Sequence, residues 1–104
     1  MFDALRRGFA RGLNAKRVKL TFPNASRSYN GEKGCVRFGG YDAVFEIHFD
    51  LDDGVLDILE PKGGQDAIGR LKSFDAHREH IQRVAGSVYS RRRSPFVELW
   101  IADF

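Results

Sequence analysis

Ala43-Val44-Phe45-Glu46-Ile47-His48-Phe49-Asp50-Leu51 is the stretch that decides the fold. Ala43, Phe45, Ile47, Phe49 and Leu51 fall on one side of an extended chain. Val44, Glu46, His48 and Asp50 fall on the other. This period of two marks a strand with one buried face and one largely wet face, as in a sheet covered on one side only. Just upstream, Val36 and Phe38 alternate with Cys35 and Arg37, and Gly39-Gly40 suits a tight connection. Cys35–Phe38 and Ala43–Leu51 therefore read as a hairpin across Gly39–Asp42. Further back, Val18, Leu20 and Phe22 alternate with Lys19 and Thr21. Pro23-Asn24 ends that strand, because proline removes a ladder donor. Asn30-Gly31 is a second turn signal. Downstream, Asp52-Asp53-Gly54 stops the central strand, Val55–Glu60 reads as one helical turn, and Pro61 to Gly64 breaks it.

From Asp66 to Tyr89 the period becomes helical. Ala67, Leu71, Phe74, Ile81, Ala85 and Val88 form a stripe, with Val84 and Tyr89 beside it. Asp66 is the N-cap by residue type. Gly69 weakens the first turns by about 1 kcal/mol relative to alanine, which allows a break near Ser73. Arg91, Arg92 and Arg93 complement the dipole at the helix C-terminus, and Pro95 follows. Val97, Leu99 and Ile101 then alternate with Phe96, Glu98 and Trp100 as a last strand. The expected fold is α+β: a small antiparallel sheet of about four strands, with one long amphipathic helix packed on one face.

The 104 residues suit a single domain. The division expected is a basic N-terminal arm over residues 1–17 and one α+β domain over residues 18–104. Six of the 17 Lys and Arg lie in the first twenty residues beside one acid, which leaves 11 bases against 13 acids in the rest. A nucleic-acid reading must therefore rest on the arm or on a local patch. Phe2, Leu5, Phe9 and Leu13 make an apolar stripe with Arg7 and Arg11 opposite. The arm reads as a short basic amphipathic helix, or as a disordered tail, since so short a helix is marginal alone. It also fits an organelle presequence superficially, but no apolar run supports a secretory signal. No run approaches the roughly 18 apolar residues of a spanning helix.

The residues offer little reactive chemistry. His77 and His80 are three apart on the expected helix, with Asp75 and Glu79 nearby, but His-x-x-His without further ligands is a weak metal signal. Asp50, Asp52, Asp53 and Gly54 fail the calcium-loop frame, because Phe49 and Leu51 fall where oxygen donors are required. Pro61-Lys62-Gly63-Gly64-Gln65 lacks the phosphate-loop frame, and no G-x-S-x-G occurs. Cys35, the single cysteine, excludes an internal disulfide and reads as a buried, inert thiol rather than half of a pair with His48. No metal and no cofactor is expected. Arg78 is the oddity. It sits inside the apolar stripe between Phe74 and Ile81, where a guanidinium must snorkel or meet an acid such as Glu46 or Asp75. It is either an anion anchor in a groove or an internal ion pair.

Phe22-Pro23-Asn24-Ala25-Ser26-Arg27-Ser28-Tyr29, Val36-Arg37-Phe38 followed by Gly40-Tyr41-Asp42, Phe74-Asp75-Ala76 with Arg78, and the terminal Asp103-Phe104 carry a resemblance. On these residues the segment Leu20 to Phe104 resembles the bacterial family of domain of unknown function 1488. The resemblance implies a small cytoplasmic α+β protein without an assigned activity and with no catalytic residues to carry over. The expectation is then a non-catalytic intracellular domain that acts through protein contacts, as a homodimer or with another protein. Phe96 and Trp100 on a terminal strand suit such an interface. The alternative is weak binding to nucleic acid or an anionic surface through the arm and Arg91, Arg92 and Arg93.

Overall fold

The computed structural model describes residues 19–104. The arm expected over residues 1–17, and Val18 of the first expected strand, lie outside the described residues. The elements are β1 (Arg27–Asn30), β2 (Cys35–Asp42), β3 (Phe45–Asp52), α1 (Asp53–Leu59), α2 (Ala67–Ala76), α3 (Arg78–Arg92) and β4 (Phe96–Leu99), followed by a 3-10 turn at Ile101–Asp103. The four strands lie in the order β1-β2-β3-β4. The first two pairings are antiparallel and the last, β3 with β4, is parallel. The architecture is α+β, as expected, with a mixed sheet and three helices.

Period-2 alternation sets the layers. Val36 and Phe38 from β2, Ile47, Phe49 and Leu51 from β3, and Val97 and Leu99 from β4 are buried on one face. Val55, Leu56, Phe74, Ile81, Ala85, Val88 and Tyr89 close over them from the helices. Phe38 is the aromatic hub: its ring centroid lies 5.1 Å from Phe49 and 5.0 Å from Phe74. Burying a phenylalanine of this kind contributes about 2–3 kcal/mol. The alternation stops short at the hairpin tip, where Ala43, Val44 and Phe45 are exposed.

Four expectations are corrected. First, the strand before the hairpin is Arg27–Asn30 and not Val18–Phe22. Thr21 makes a single bridge to Tyr41, and Pro23 cannot extend it as a donor. Leu20 and Phe22 still pack on the core. The Phe22 ring sits where a Cβ on Gly40 would be, 2.7 Å away. Second, Gly39 and Gly40 are therefore strand residues, and the hairpin turns four residues later, at Ala43-Val44. Third, the sheet is mixed, because three helices return the chain to the same end of β3 before β4 begins.

The fourth correction concerns the expected long helix, which is two helices. His77, with φ −119 and ψ 20, interrupts the run between α2 and α3. The face of α2 that turns inward is Arg70, Ser73 and Phe74, while Ala67 is exposed. The stripe read across residues 67–88 is thus two stripes at different angles, joined where α2 is tied to β1.

Asp66 caps α2 by accepting from the Gly69 N–H at 2.8 Å. Asp52 ends β3 and caps α1 by accepting from Gly54 N–H at 2.9 Å. The hairpin turn carries a cost of its own. Ala43 has φ 56, where a Cβ crowds the following carbonyl by about 1–2 kcal/mol. Ala43→Gly is expected to raise the unfolding free energy by about 0.5–1 kcal/mol, after the extra unfolded-state entropy of glycine is counted. Urea unfolding checks this; an unchanged or lowered midpoint would show that the turn is not strained.

Candidate functional site

The face of the sheet away from the helices is bare among the described residues. The alternation that buries Val36, Phe38, Phe49 and Leu51 turns Arg37, Gly39 and Tyr41 of β2, Glu46, His48 and Asp50 of β3, and Phe96 and Glu98 of β4 outward. Cross-strand register arranges them in rows. Arg37 lies beside Asp50, and Asp50 beside Glu98. Gly39 lies beside His48, and His48 beside Phe96. Arg37 Nε donates to Asp50 Oδ1 at 3.0 Å, and Lys33 Nζ stands 3.6 Å from Oδ2 of the same carboxylate. The His48 and Phe96 rings stack with centroids 5.1 Å apart and planes 15° from parallel. Phe96 remains 70% exposed. The surface forms an open groove of about 770 Å³. A groove of similar size, about 780 Å³, runs between Leu20, Phe22 and the Gln82–Gly86 side of α3. The sheet face is the stronger candidate, because it holds the exposed rings and the polar rows together.

The outer edge of β4 is closed by its own neighbours. His48 N–H donates to Pro95 O at 2.8 Å. In that register the N–H and C=O of Phe96 and Glu98 point away from β3. Ser94 Oγ donates to Phe96 O at 2.9 Å and accepts from Phe96 N–H at 3.3 Å. Arg92 donates to Glu98 O at 3.1 Å. Asp103 accepts from Trp100 N–H at 2.8 Å, and its side chain is only 8% exposed. Such capping blunts an edge against strand addition.

These contacts also place the arginine cluster. Arg92 and Arg91 reach Asp103 Oδ1 at 3.6 and 4.0 Å. Arg93 ends α3 in the left-handed conformation, and its N–H donates to Tyr89 O.

Arg78 meets Asp75 and not Glu46. Its guanidinium donates to Asp75 Oδ1 at 2.6 Å and to Ala25 O at 3.2 Å, and lies over the Phe74 ring. Arg27 grips the same carboxylate through both oxygens, at 2.9 and 2.7 Å. The hydrogen bond from Arg27, and then the one from Arg78, hold the Asp75 carboxyl below its ordinary value. The stretches Phe22–Tyr29 and Phe74–Arg78 thus meet in one cluster.

The remaining candidates are dispersed. His77 turns to Glu60 at 3.3 Å, and His80 packs against the Phe104 ring. Cys35 is buried, and burial raises its thiol pKa. Among the described residues, no three His, Cys, Asp or Glu side chains are grouped as metal ligands.

Sequence reasoning passed over Arg70, which is 8% exposed. Its guanidinium donates to Asp57 Oδ1 at 2.7 Å and faces Asp53 Oδ1 at 3.6 Å, while Tyr29 donates its hydroxyl proton to Asp53 Oδ2 at 2.7 Å. Burial at a position expected to be polar was the only signal, and it needs the true inward face of α2.

The site therefore belongs to a mixed-sheet α+β domain with one covered face and one bare face. The family model Protein of unknown function (DUF1488) matches residues 20–101, and the chain belongs to that family. Neither a curated protein nor a solved structure matches the chain.

Two stability measurements test the polar clusters. Arg70→Ala leaves Asp53 and Asp57 without their cation and is expected to cost about 3 kcal/mol. A loss below ~1 kcal/mol in urea would show that the cluster holds little. For Asp75 the folded pKa lies below the unfolded one. Its contribution is therefore complete above about pH 4 and is lost as pH falls through the lower folded value. Asp75→Asn should weaken the protein at neutral pH and flatten the decline of stability below pH 4. An acid limb identical to wild type would remove Asp75 from that role.

Proposed function

We propose that this protein is a non-catalytic interaction domain that receives its partner on the bare face of the sheet. One observation carries the reading: Phe96, on the edge strand β4, stands 70% exposed and stacked on His48 of β3, on a strand surface that no described element covers. An exposed ring among rows of charge is the mixture found where proteins meet. On the β4 side the contact is turned toward the face, because strand addition there would first have to displace Ser94, Arg92 and Asp103. Arg37 is held by Asp50 and the His48 ring by that of Phe96, an arrangement that supports a recognition surface.

The arginine cluster gives less support to the nucleic-acid alternative. Arg92 and Arg91 lean on Asp103, and phosphate would have to compete with that carboxylate. No described helix is long and apolar enough to cross a membrane.

Site-specific crosslinking tests the proposal. A photoreactive phenylalanine analogue replaces Phe96 in the full chain, with Ile68, equally exposed at 67% on α2, as the control position. Irradiation in native lysate is expected to give discrete protein adducts from position 96 that position 68 does not give. Equal or absent adducts at both positions would overturn the reading.

A further inference from the structure

We propose that the occupant of the bare face is a second copy of this chain, seated face to face about a two-fold axis that runs along β3; this rests on the interaction reading above. The register makes the face self-complementary. A two-fold axis along β3 exchanges β2 with β4 while keeping each row in place. In the first row, Arg37 then faces Glu98 of the second copy, and Glu98 faces its Arg37. In the next row, Phe96 faces Gly39 of the second copy, and Gly39 faces its Phe96. The exposed ring meets the one position in that row without a side chain. The Glu46 carboxylate lies within 3.2 Å of where a Gly39 Cβ would be. It is half-exposed and has His48 4.0 Å away to turn toward.

Charge favours this occupant over a polyanion or a polycation. Of the four cations that line this surface, Arg27 is held by Asp75, and Lys33, Arg37 and Arg92 stand against Glu46, Asp50 and Glu98. Nucleic acid would meet the three carboxylates, and a strongly basic segment would meet the three cations. A second copy meets the opposite sign across the first row, twice. Asp50 lies on the axis and faces its own copy, but Arg37 and Lys33 already hold it within each chain.

Size sets the strength. The three strands that overlap under this axis, about 4.8 Å apart and about 20 Å long, offer on the order of 300 Å² of projected face per copy. Two copies reach ~600 Å², well below the roughly 1,200–2,000 Å² of stable complexes. The dimer is therefore of the weak, transient class, to be sought at roughly 0.1–1 mM chain.

Sedimentation of the full chain over that range, with two charge reversals, decides the proposal. Arg37→Glu sets glutamate against Glu98 twice, and Glu98→Arg sets arginine against Arg37 twice. Each variant alone should associate at least tenfold more weakly than wild type. Mixing the two should restore association, since every first-row pair is then opposite in sign. The double variant R37E/E98R should restore it within one chain. Both positions are exposed, and thermal melts confirm that the variants fold. A wild-type chain that stays monomeric to about 1 mM, or reversals that associate as well as wild type, would overturn the second copy as occupant. Crosslinking at position 96, repeated on the purified chain at about 1 mM, fails separately: an adduct with a different protein in lysate and none with a second copy at that concentration sinks this inference and leaves the interaction reading standing, whereas no adduct in either sinks both.

Discussion

The arrangement of the helices depends on a buried guanidinium. Arg70 projects from α2 into the junction of α1 with the β1–β2 hairpin, where its side chain is 9% exposed. Taking such a charge from water costs several kcal/mol unless acids meet it. Asp53 and Asp57, one turn apart on α1, meet it, and Tyr29 of β1 orders Asp53 from the other side. The Asp53 N–H also donates to Gly34 O in the β1–β2 turn. Three segments distant in sequence are thus held at one angle. The helices can cover one sheet face only when that angle is kept.

A second polar clamp does the same work at the far end of α2. Arg27, Asp75 and Arg78 join β1 to the helix junction, and Arg78 reaches back to Ala25 O. The helix is interrupted here, at His77. The residues that carry the family resemblance, Arg27, Asp75 and Arg78 among them, are to this extent fold-makers.

Alternation made the central strand pair and the buried face of β3 legible in the sequence, residue type gave the cap at Asp66, and the terminal strand reads correctly up to Leu99, where the structure turns instead of running on to Ile101. The parts that escaped it share a physical cause. Arg27–Asn30 shows no apolar alternation, because its pairing to β2 and its contacts to Asp75 are polar. The run Gly39-Gly40 looks like a turn locally, yet Phe22 from another segment needs Gly40 bare. The apolar stripe over residues 67–88 is continuous by count, but burial of Arg70 and Ser73 rotates its first half. Each miss came from a long-range polar or steric contact, which local periodicity does not encode. The open face was half visible: the wet side of β3 could be read, whereas its juxtaposition with Phe96 required the parallel pairing of β4.

That parallel pairing also explains why the outer edge of β4 is capped while the face stays open among the described residues. A chain that returns through three helices places β4 at the margin of the sheet, with unpaired backbone groups facing outward. Ser94, Arg92 and Asp103, all just outside the strand, take up those groups. The same capping residues hold the arginine cluster against the C-terminal turn. Closing the edge suppresses open-ended strand pairing, which would propagate from molecule to molecule. Contact through the face, as proposed, would close on itself after two copies, whereas pairing at an uncapped edge would not close.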